Sequence, residues 1–187
     1  MAADDGTRWD ARYADRDAHI TPVAPDAVAT AGLVDRIPTT GRALDVACGL
    51  GAQTIWLAQR GFEVTALDVS HEAVRRVDDA ARRHEVHERV AATAFDLDRG
   101  LPDDAVGFDI IVCQRFRAPH LYEALIERLV PGGWLIMTVL SETGAADPGE
   151  FHAPPGELTL FFDRPGCTLV THHEADGEES IIVQRSS

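Results

Sequence analysis

Three aspartates stand at the ends of three successive apolar segments: Asp45 in "RALDVA", Asp68 in "FEVTALD" and Asp96 in "RVAATAFD". The first is followed at once by a loop that contains Gly49 and Gly51. Such loops often cradle phosphates, but a carboxylate about 4 Å from a phosphate oxygen costs about 1 kcal/mol in water and up to about 4 kcal/mol in a partly desolvated cleft. The loop therefore favours a ligand with positive charge. A second role for Asp45, pinning the loop through hydrogen bonds to its amides, is compatible with the first.

The glycine loop does not fit a dinucleotide site. That fingerprint needs G-x-G-x-x-G, and Thr54 stands where the third glycine belongs. Asp45 and Thr54 together argue against an NAD-dependent oxidoreductase. The chain also contains no lysine, which excludes Schiff-base, pyridoxal phosphate and phosphate-loop lysine chemistry.

S-adenosylmethionine meets these requirements, since it joins an ammonium and a sulfonium to an adenosine. In open parallel sheets an acid at the end of the second strand, here Asp68, reaches the two ribose hydroxyls. Asp96 follows the third strand and is placed to accept from the adenine amino group, although Asp98 is an alternative. Val69 and Leu97 then provide apolar walls for the adenine.

The acids need a scaffold that brings strand ends together, and the hydropathy pattern provides one. Strand and helix patterns alternate in the order "RALDVA", "AQTIWLAQRG", "FEVTALD", "SHEAVRRVDDAARRHE", "RVAATAFD", "FDIIVCQ", "APHLYEALIERLV" and "GGWLIMTVL". This alternation predicts a mostly parallel sheet with helices on both faces. Two further strand patterns, "CTLVTHHEA" and "ESIIVQR", flank an Asp-Gly turn and predict an antiparallel hairpin. The fold class is α/β, a Rossmann-like domain with a seven-stranded sheet.

A single domain is expected over residues 1–187, because a chain of this length with 45% hydrophobic residues builds one core. We expect a lid or helical segment over 1–40, a cofactor-binding core over 41–140, and a substrate loop with the C-terminal hairpin over 141–187. In the first segment, "TPVAPDAVATAGLVDRI" predicts a helix of two or three turns. Residues 141–157 are rich in glycine, proline and alanine and predict a loop.

Charge and cysteine content restrict the partners. A formal net charge of −14 repels nucleic acid and anionic membrane surfaces. No apolar run approaches the ~18 residues of a membrane span, and the N-terminus lacks a signal peptide pattern. Cys48, Cys113 and Cys167 are widely spaced in apolar runs, which is typical of reduced core thiols and predicts a cytoplasmic protein. We expect a monomer or a homodimer.

The chain resembles the class I S-adenosylmethionine-dependent methyltransferases, and within them the small tellurite-resistance-type bacterial enzymes. The resemblance runs from Trp9 nearly to the C-terminus and rests on "WDARY", "LDVACGLGAQTIWLAQRGFEVTALDVS", "FDLDRGLP", "QRFRAPHLYEALIERLVPGGWLIM" and "PGEL". It implies transfer of a methyl group to a small-molecule acceptor by in-line displacement. The alternative is a module that binds S-adenosylmethionine without catalysis.

The resemblance also implies further cofactor contacts. The two glycines of the loop lie under the methionyl part, the fourth strand ends beside it, and "WDARY" opens a segment that folds over the cofactor. Besides the three acids, Val69 and Leu97, the cofactor site then comprises Arg12, Tyr13, Ala47, Cys48 through its backbone, Gly49, Gly51 and Gln114. Surface packing is the alternative role for Trp9 and Tyr13.

The acceptor pocket is expected between "QRFRAPH" and the loose loop, at the carboxyl edge of the sheet. Its candidate substrate-binding residues are Arg115, Arg117, His120 and His152. A guanidinium in a sheltered cleft holds a carboxylate, phosphate or oxyanion, so a small anionic acceptor is favoured. Arg115 and His120 are the catalytic candidates, with His120 as base for a hydroxyl nucleophile. Alternatively, the arginines pair with surface acids and the histidines are surface residues.

We predict no metal site. His84 and His87 in "RRHEVHE" do not form an H-E-x-x-H pattern and lie at a helix end. His172 and His173 are adjacent on a strand, so their side chains point to opposite faces.

Overall fold

The computed structural model describes residues 2–16 and 19–186. Its strands are β1 (Gly41–Val46), β2 (Phe62–Asp68), β3 (Val90–Ala94), β4 (Phe108–Gln114), β5 (Leu129–Leu140), β6 (Cys167–Ala175) and β7 (Glu178–Arg185). They form one seven-stranded sheet in the order β3-β2-β1-β4-β5-β7-β6. The first five strands pair in parallel, and β7 runs antiparallel to both β5 and β6. The predicted fold class is confirmed.

The helices are α1 (Ala2–Ala14), α2 (Asp26–Thr30), α3 (Ala52–Arg60), α4 (His71–Arg83), α5 (Tyr122–Glu127) and α6 (Glu157–Phe162). As the sequence predicts, α3 ends at Gly61, which has a φ of 107°. Ser70 is the N-cap of α4, because its Oγ accepts a hydrogen bond of 3.0 Å from the Ala73 amide. Among the described residues, no helix is both long and apolar enough to cross a bilayer.

Three helical segments differ from the prediction. α2 is only five residues long, because the left-handed Gly32 with a φ of 64° interrupts the stretch before a short 3-10 turn. α5 is shortened in the same way by the 3-10 turn that begins at Pro119. α6 begins at the end of the segment predicted as loop, where the Glu179 carboxylate accepts from the Leu158 and Thr159 amides.

Helices cover both faces of the sheet. On β1, Ala43 is buried in a core cluster shared with α2 and α3, whereas its neighbour Leu44 is buried in the cluster shared with α5 and α6. This alternation follows from the two-residue period of a strand.

The order of the strands reverses between β1 and β4, which pair with each other although they are distant in sequence. In open α/β sheets, ligands bind outside the carboxyl ends of the strands at such a point. The first residue after each of these strands is left-handed without being glycine: Ala47 has a φ of 55° and Arg115 a φ of 56°. Because such conformations concentrate at functional sites, the backbone also indicates a functional site at the carboxyl ends of β1 and β4.

Candidate cofactor and active site

Asp68, the last residue of β2, is the best-anchored acid at the carboxyl edge. It is 4% exposed, and its two carboxylate oxygens accept from the amides of Gly49 and Ser70, each at 2.9 Å. Burial raises the pKa of Asp68, while these backbone hydrogen bonds oppose the shift. A carboxylate offers about four acceptor positions, so Asp68 retains capacity for hydroxyls of a ligand.

Asp45 lies deeper, beneath the glycine loop. Its carboxylate accepts a hydrogen bond of 2.5 Å from the Thr54 hydroxyl on α3, and burial raises its pKa to about 7. The residue that breaks the dinucleotide fingerprint is therefore the partner of Asp45. This pairing had no signal in the sequence beyond the presence of a hydroxyl at the third-glycine position.

The two glycines of the loop have different surroundings. A Cβ on Gly49 would lie 3.2 Å from the Tyr13 hydroxyl of α1, whereas a Cβ on Gly51 would lie 2.7 Å from Cγ2 of Val77 on α4. Gly49 thus faces the lid side, and Gly51 allows α3 to start against α4. Between Asp45 and Gly49, the Cys48 thiol is buried, which raises its pKa strongly.

α1 lies over the glycine loop, in the place predicted for a lid. The rings of Trp9 and Tyr13 stack with centroids 5.4 Å apart, and Tyr13 reaches Gly49. Burial and the charge of Asp68 raise the pKa of the Tyr13 hydroxyl. Arg12 is exposed, and its guanidinium lies 5.1 Å from the centroid of the Trp9 ring. The structure therefore brings Tyr13 to the loop, while Arg12 is on the outer side of the helix.

A cleft of about 420 Å³ opens between α1 and the segments that follow β2 and β3. Val69, Phe95 and Asp96 line it, which agrees with the expected wall and adenine acceptor. Asp98 is exposed, and its amide donates to Asp96 at 3.1 Å. Leu97 differs from the prediction: a 3-10 turn after β3 rotates its side chain into the core, where it is 5% exposed. Phe95 lines the cleft instead.

Gln114 ends β4 next to the glycine loop. Cys113, the residue before it, pairs in register with Val46, the residue before Ala47. The Gln114 side-chain amide donates to the Cys113 carbonyl at 3.1 Å. Ala47 and Gln114 therefore lie on neighbouring strand ends, as the methionyl assignment requires.

Both predicted substrate arginines are paired with acids. Arg115 donates to Glu178 at 2.5 Å and lies 3.6 Å from Asp26. Arg117 forms a two-pronged ion pair with Glu157, with bonds of 2.9 and 2.5 Å. The arrangement matches the alternative in which the arginines pair with acids.

Glu157 is also held by a second donor, the Tyr122 hydroxyl, at 2.7 Å. Burial acts to raise the pKa of Glu157, but the hydrogen bonds from Arg117 and Tyr122 outweigh it, so that pKa lies below its ordinary value. Glu157 therefore remains ionised and keeps Arg117 occupied.

The two candidate histidines are engaged locally. His120 is exposed, with Nε2 3.1 Å from the Leu97 carbonyl. In His152, Nδ1 lies 2.9 Å from the Gly149 amide of its own loop. Within the described part of the chain, these hydrogen bonds do not join the two histidines to each other or to the arginines, so the proposed acceptor residues do not form one cluster.

A group that the sequence did not reveal lies on the hairpin. Within the described part of the chain, His172, Glu174 and Glu179 are the one set with potential metal-ligand atoms all within 4.8 Å. Glu174 accepts from Ser141 at 2.6 Å and Thr143 at 2.9 Å.

Glu179 is fully buried, and it accepts from two amides at the start of α6 at 2.9 and 3.0 Å. His172 Nε2 lies 3.2 Å from it. The carboxylate oxygens of Glu174 and Glu179 already accept hydrogen bonds from the chain, so the group stabilises α6 and the preceding loop. We do not assign a metal to it.

The residues at the β1 to β3 ends fit an adenosine-bearing cofactor. A buried carboxylate with free acceptor capacity adjoins a cleft with an aromatic wall and a second carboxylate. Gly49, which is left-handed with a φ of 53°, donates its amide to this carboxylate.

Comparison with known proteins supports this fit. A family model described as "Methyltransferase domain" matches residues 43–133. The ubiquinone biosynthesis O-methyltransferase of Xylella fastidiosa is 30% identical over 151 residues, which make up 74% of this chain and 56% of that protein. The chain spans about half the length of the curated relatives that it matches.

Solved structures agree in fold. TehB from Haemophilus influenzae has a TM-score of 0.69 at 15% identity, covering 88% of this chain and 63% of that chain. The DhpI–SAH complex has a TM-score of 0.68 at 19% identity, covering 100% of this chain and 97% of that chain. The predicted resemblance and cofactor class are confirmed: residues 43–133 match a methyltransferase domain, whose cofactor is S-adenosylmethionine.

Proposed function

We propose that this chain transfers a methyl group from S-adenosylmethionine to a small-molecule acceptor by in-line displacement. The observation that carries the proposal is Asp68, a buried carboxylate anchored by two backbone amides and followed in the chain by Val69, which lines the cleft. An anchored acceptor of this kind suits a ribose diol. The matched domain family supports the same cofactor.

Each residue then has a defined task. Asp68 accepts from the ribose hydroxyls and Asp96 from the adenine amino group, with Val69 and Phe95 against the base. When bound, S-adenosylmethionine supplies a methyl group activated by its sulfonium.

The glycine loop and the end of β4 are assigned to the methionyl part. Ala47, Cys48 and Gly49 contribute backbone, and Gln114 contributes its side chain. Asp45 holds the start of α3 beneath the loop by accepting from the Thr54 hydroxyl. Tyr13 covers the loop and excludes water, which an in-line displacement requires together with alignment of its reactants.

The acceptor is proposed to enter between the end of β4 and the loop 141–157. A relative named for ubiquinone biosynthesis supports a small molecule, and the net charge of −14 disfavours nucleic acid. Arg115, Arg117, His120 and His152 remain the proposed contacts. An anionic acceptor must displace Glu157 from Arg117, and His120 is the proposed base where the nucleophile is a hydroxyl.

The paired arginines favour a second candidate, a module that binds the cofactor without an acceptor. Incubation with radiolabelled S-adenosylmethionine and a panel of thiols, phenols, amines and oxyanions separates the two. We expect labelled product from the wild type and none above background from Asp68→Ala. Cofactor binding with no transfer to any acceptor would favour the module, and absence of cofactor binding would contradict both.

We also propose a cytoplasmic location and a monomeric or homodimeric state. All three cysteines are free in the structure, which suits a reducing compartment. Sedimentation measurements at several concentrations test the oligomeric state.

A further inference from the structure

Asp10 of α1 makes a contact that neither the sequence patterns nor the cofactor assignment uses. Its carboxylate accepts from the Ser70 hydroxyl at 2.5 Å and from the Glu72 amide at 3.0 Å. These groups belong to the first turn of α4, where amides lack helical partners. Asp10 therefore caps a neighbouring helix from outside.

Ser70 stands between two carboxylates. Its amide donates to Asp68 at 2.9 Å, while its hydroxyl donates to Asp10 and accepts from the Ala73 amide. Asp10 of α1 therefore helps to fix the orientation of Ser70. Ser70 in turn contacts Asp68 through its amide.

One face of α1 follows the rim of the cofactor site. Gly6 lies against the Val69 carbonyl, where a Cβ would be 3.5 Å away, Asp10 contacts Ser70, and Tyr13 approaches Gly49. Residues 6, 10 and 13 are spaced by four and three, so they share one helix face. The three contacts therefore lie along one side of α1.

α4 also contacts the C-terminal end of α1. Arg76 of α4 donates to the carbonyls of Ala14 and Arg16 at 2.9 and 3.0 Å. Carbonyls at the end of a helix lack intrahelical partners, so α1 and α4 cap each other. The docked position of α1 is therefore specific.

We propose that Asp10 is a positioning residue for cofactor binding, which couples the docking of α1 to the orientation of Asp68 through Ser70. This inference rests on the proposed function, because it takes Asp68 as the ribose acceptor. Asp10 also lines the cleft, but in this role it acts through Ser70 and not through a contact with the cofactor.

Two effects of Asp10 on Asp68 oppose each other. Hydrogen bonds from Glu72 and Ser70 lower the pKa of Asp10, so it is ionised at neutral pH, and its charge contributes to the raised pKa of Asp68. Asp10 is only partly buried, and solvent screens that repulsion. The charge-assisted hydrogen bond to Ser70 is direct, so positioning outweighs repulsion.

The test uses calorimetry on the full chain with S-adenosylhomocysteine and its 3′-deoxy analogue. In the wild type, we expect loss of the ribose hydroxyl to weaken binding about tenfold. Asp10→Asn should weaken the binding of S-adenosylhomocysteine about tenfold. It should also reduce the ratio of the dissociation constants of the two ligands to about threefold. Asp5→Asn is the matched control, because Asp5 is on the same helix and forms an exposed ion pair with Arg8 of the next turn.

Ser70→Ala removes the hydroxyl that joins Asp10 to Ser70, and it should reduce the ratio of the two dissociation constants in the same way. The double variant with Asp10→Asn should show no further reduction of this ratio. Tighter binding in Asp10→Asn would show that repulsion dominates and would overturn the inference. An unchanged factor between the two ligands would also overturn it, since a purely structural role of Asp10 weakens both ligands equally. A wild type that binds neither ligand contradicts the proposed function, and the inference falls with it.

Discussion

The carboxyl edge of the sheet has two halves that hold their charged groups in different ways. At the ends of β1, β2 and β3, Asp68 is held by amides, and Asp45 by the hydroxyl of Thr54, nine residues away. At the ends of β4 and β5, Arg117 is held by Glu157, 40 residues away, and Arg115 by Glu178, 63 residues away.

The difference bears on readiness to bind a ligand. Asp68 accepts from neutral amides and has unused acceptor positions for a ligand. An arginine in an ion pair has its charge compensated, and a ligand must replace its partner. We therefore expect the proposed cofactor half to be formed in advance and the proposed acceptor half to rearrange before it binds an anion.

The largest effect is expected from removing the anchored acid of the cofactor half. Asp68→Ala should weaken S-adenosylhomocysteine by roughly 2–4 kcal/mol, because two hydrogen bonds to a charged acceptor are lost. Calorimetry measures the affinity, and NADH should not bind the wild type. Asp98→Ala is the control, because Asp98 is exposed outside the cleft; an equal loss in both variants would remove the ribose assignment.

Substitution of the two loop glycines in the same half should lower stability to different extents. Gly51→Ala should lower the free energy of unfolding by about 3 kcal/mol, since it adds strain at a left-handed residue and a clash with Val77. Gly49→Ala should cost about 1 kcal/mol, because only the Tyr13 hydroxyl is near. Urea unfolding measures both, and similar losses would show that the two glycines do not differ in role.

The buried acid should make stability depend on pH. The pKa of Asp45 is about 7 when folded, against an ordinary value of 3.8, so the native state binds the extra proton between these values. The contribution of Asp45 is fully present below about pH 4 and is lost as the pH rises through about 7.

Asp45→Asn should therefore gain about 2 kcal/mol in stability relative to the wild type between about pH 5 and pH 8. Denaturant titrations at each pH measure the difference, with Asp98→Asn as control. A difference that does not change with pH would contradict the buried, protonated state.

The smallest effects belong to the acceptor half. Arg117→Met should lower stability by about 1–2 kcal/mol, because Glu157 loses its main partner in a partly buried site. Arg115→Met should change it by less than about 1 kcal/mol, since Arg115 is 59% exposed. Once an acceptor is known, these variants and His120→Ala should reduce turnover while cofactor affinity is retained. Wild-type turnover in all three would remove these residues from the acceptor site.

The same division explains what the sequence could predict. The strand ends with Asp68 and Asp96 and the Ser70 cap lie within short βα units, so local patterns locate them. The pattern did not indicate that the Leu97 side chain is buried in the core, because a 3-10 turn changes the direction of the chain after β3.

Contacts between segments that are distant in the chain could not be predicted from local sequence patterns. Glu179 holds the start of α6 from about 20 residues away, and Asp10 reaches Ser70 across 60 residues. Both depend on packing that periodicity does not encode, because each partner alone is an ordinary surface-type residue.

Hydrogen exchange of the full chain with and without S-adenosylhomocysteine tests the division of the edge most directly. The cofactor should protect the glycine loop, residues 68–73, residues 94–97 and the α1 segment 6–13, and leave residues 141–163 unchanged. Protection confined to residues 115–120 and 141–163, with none at residues 68–73, would contradict the assignment of the cofactor to the ends of β1, β2 and β3.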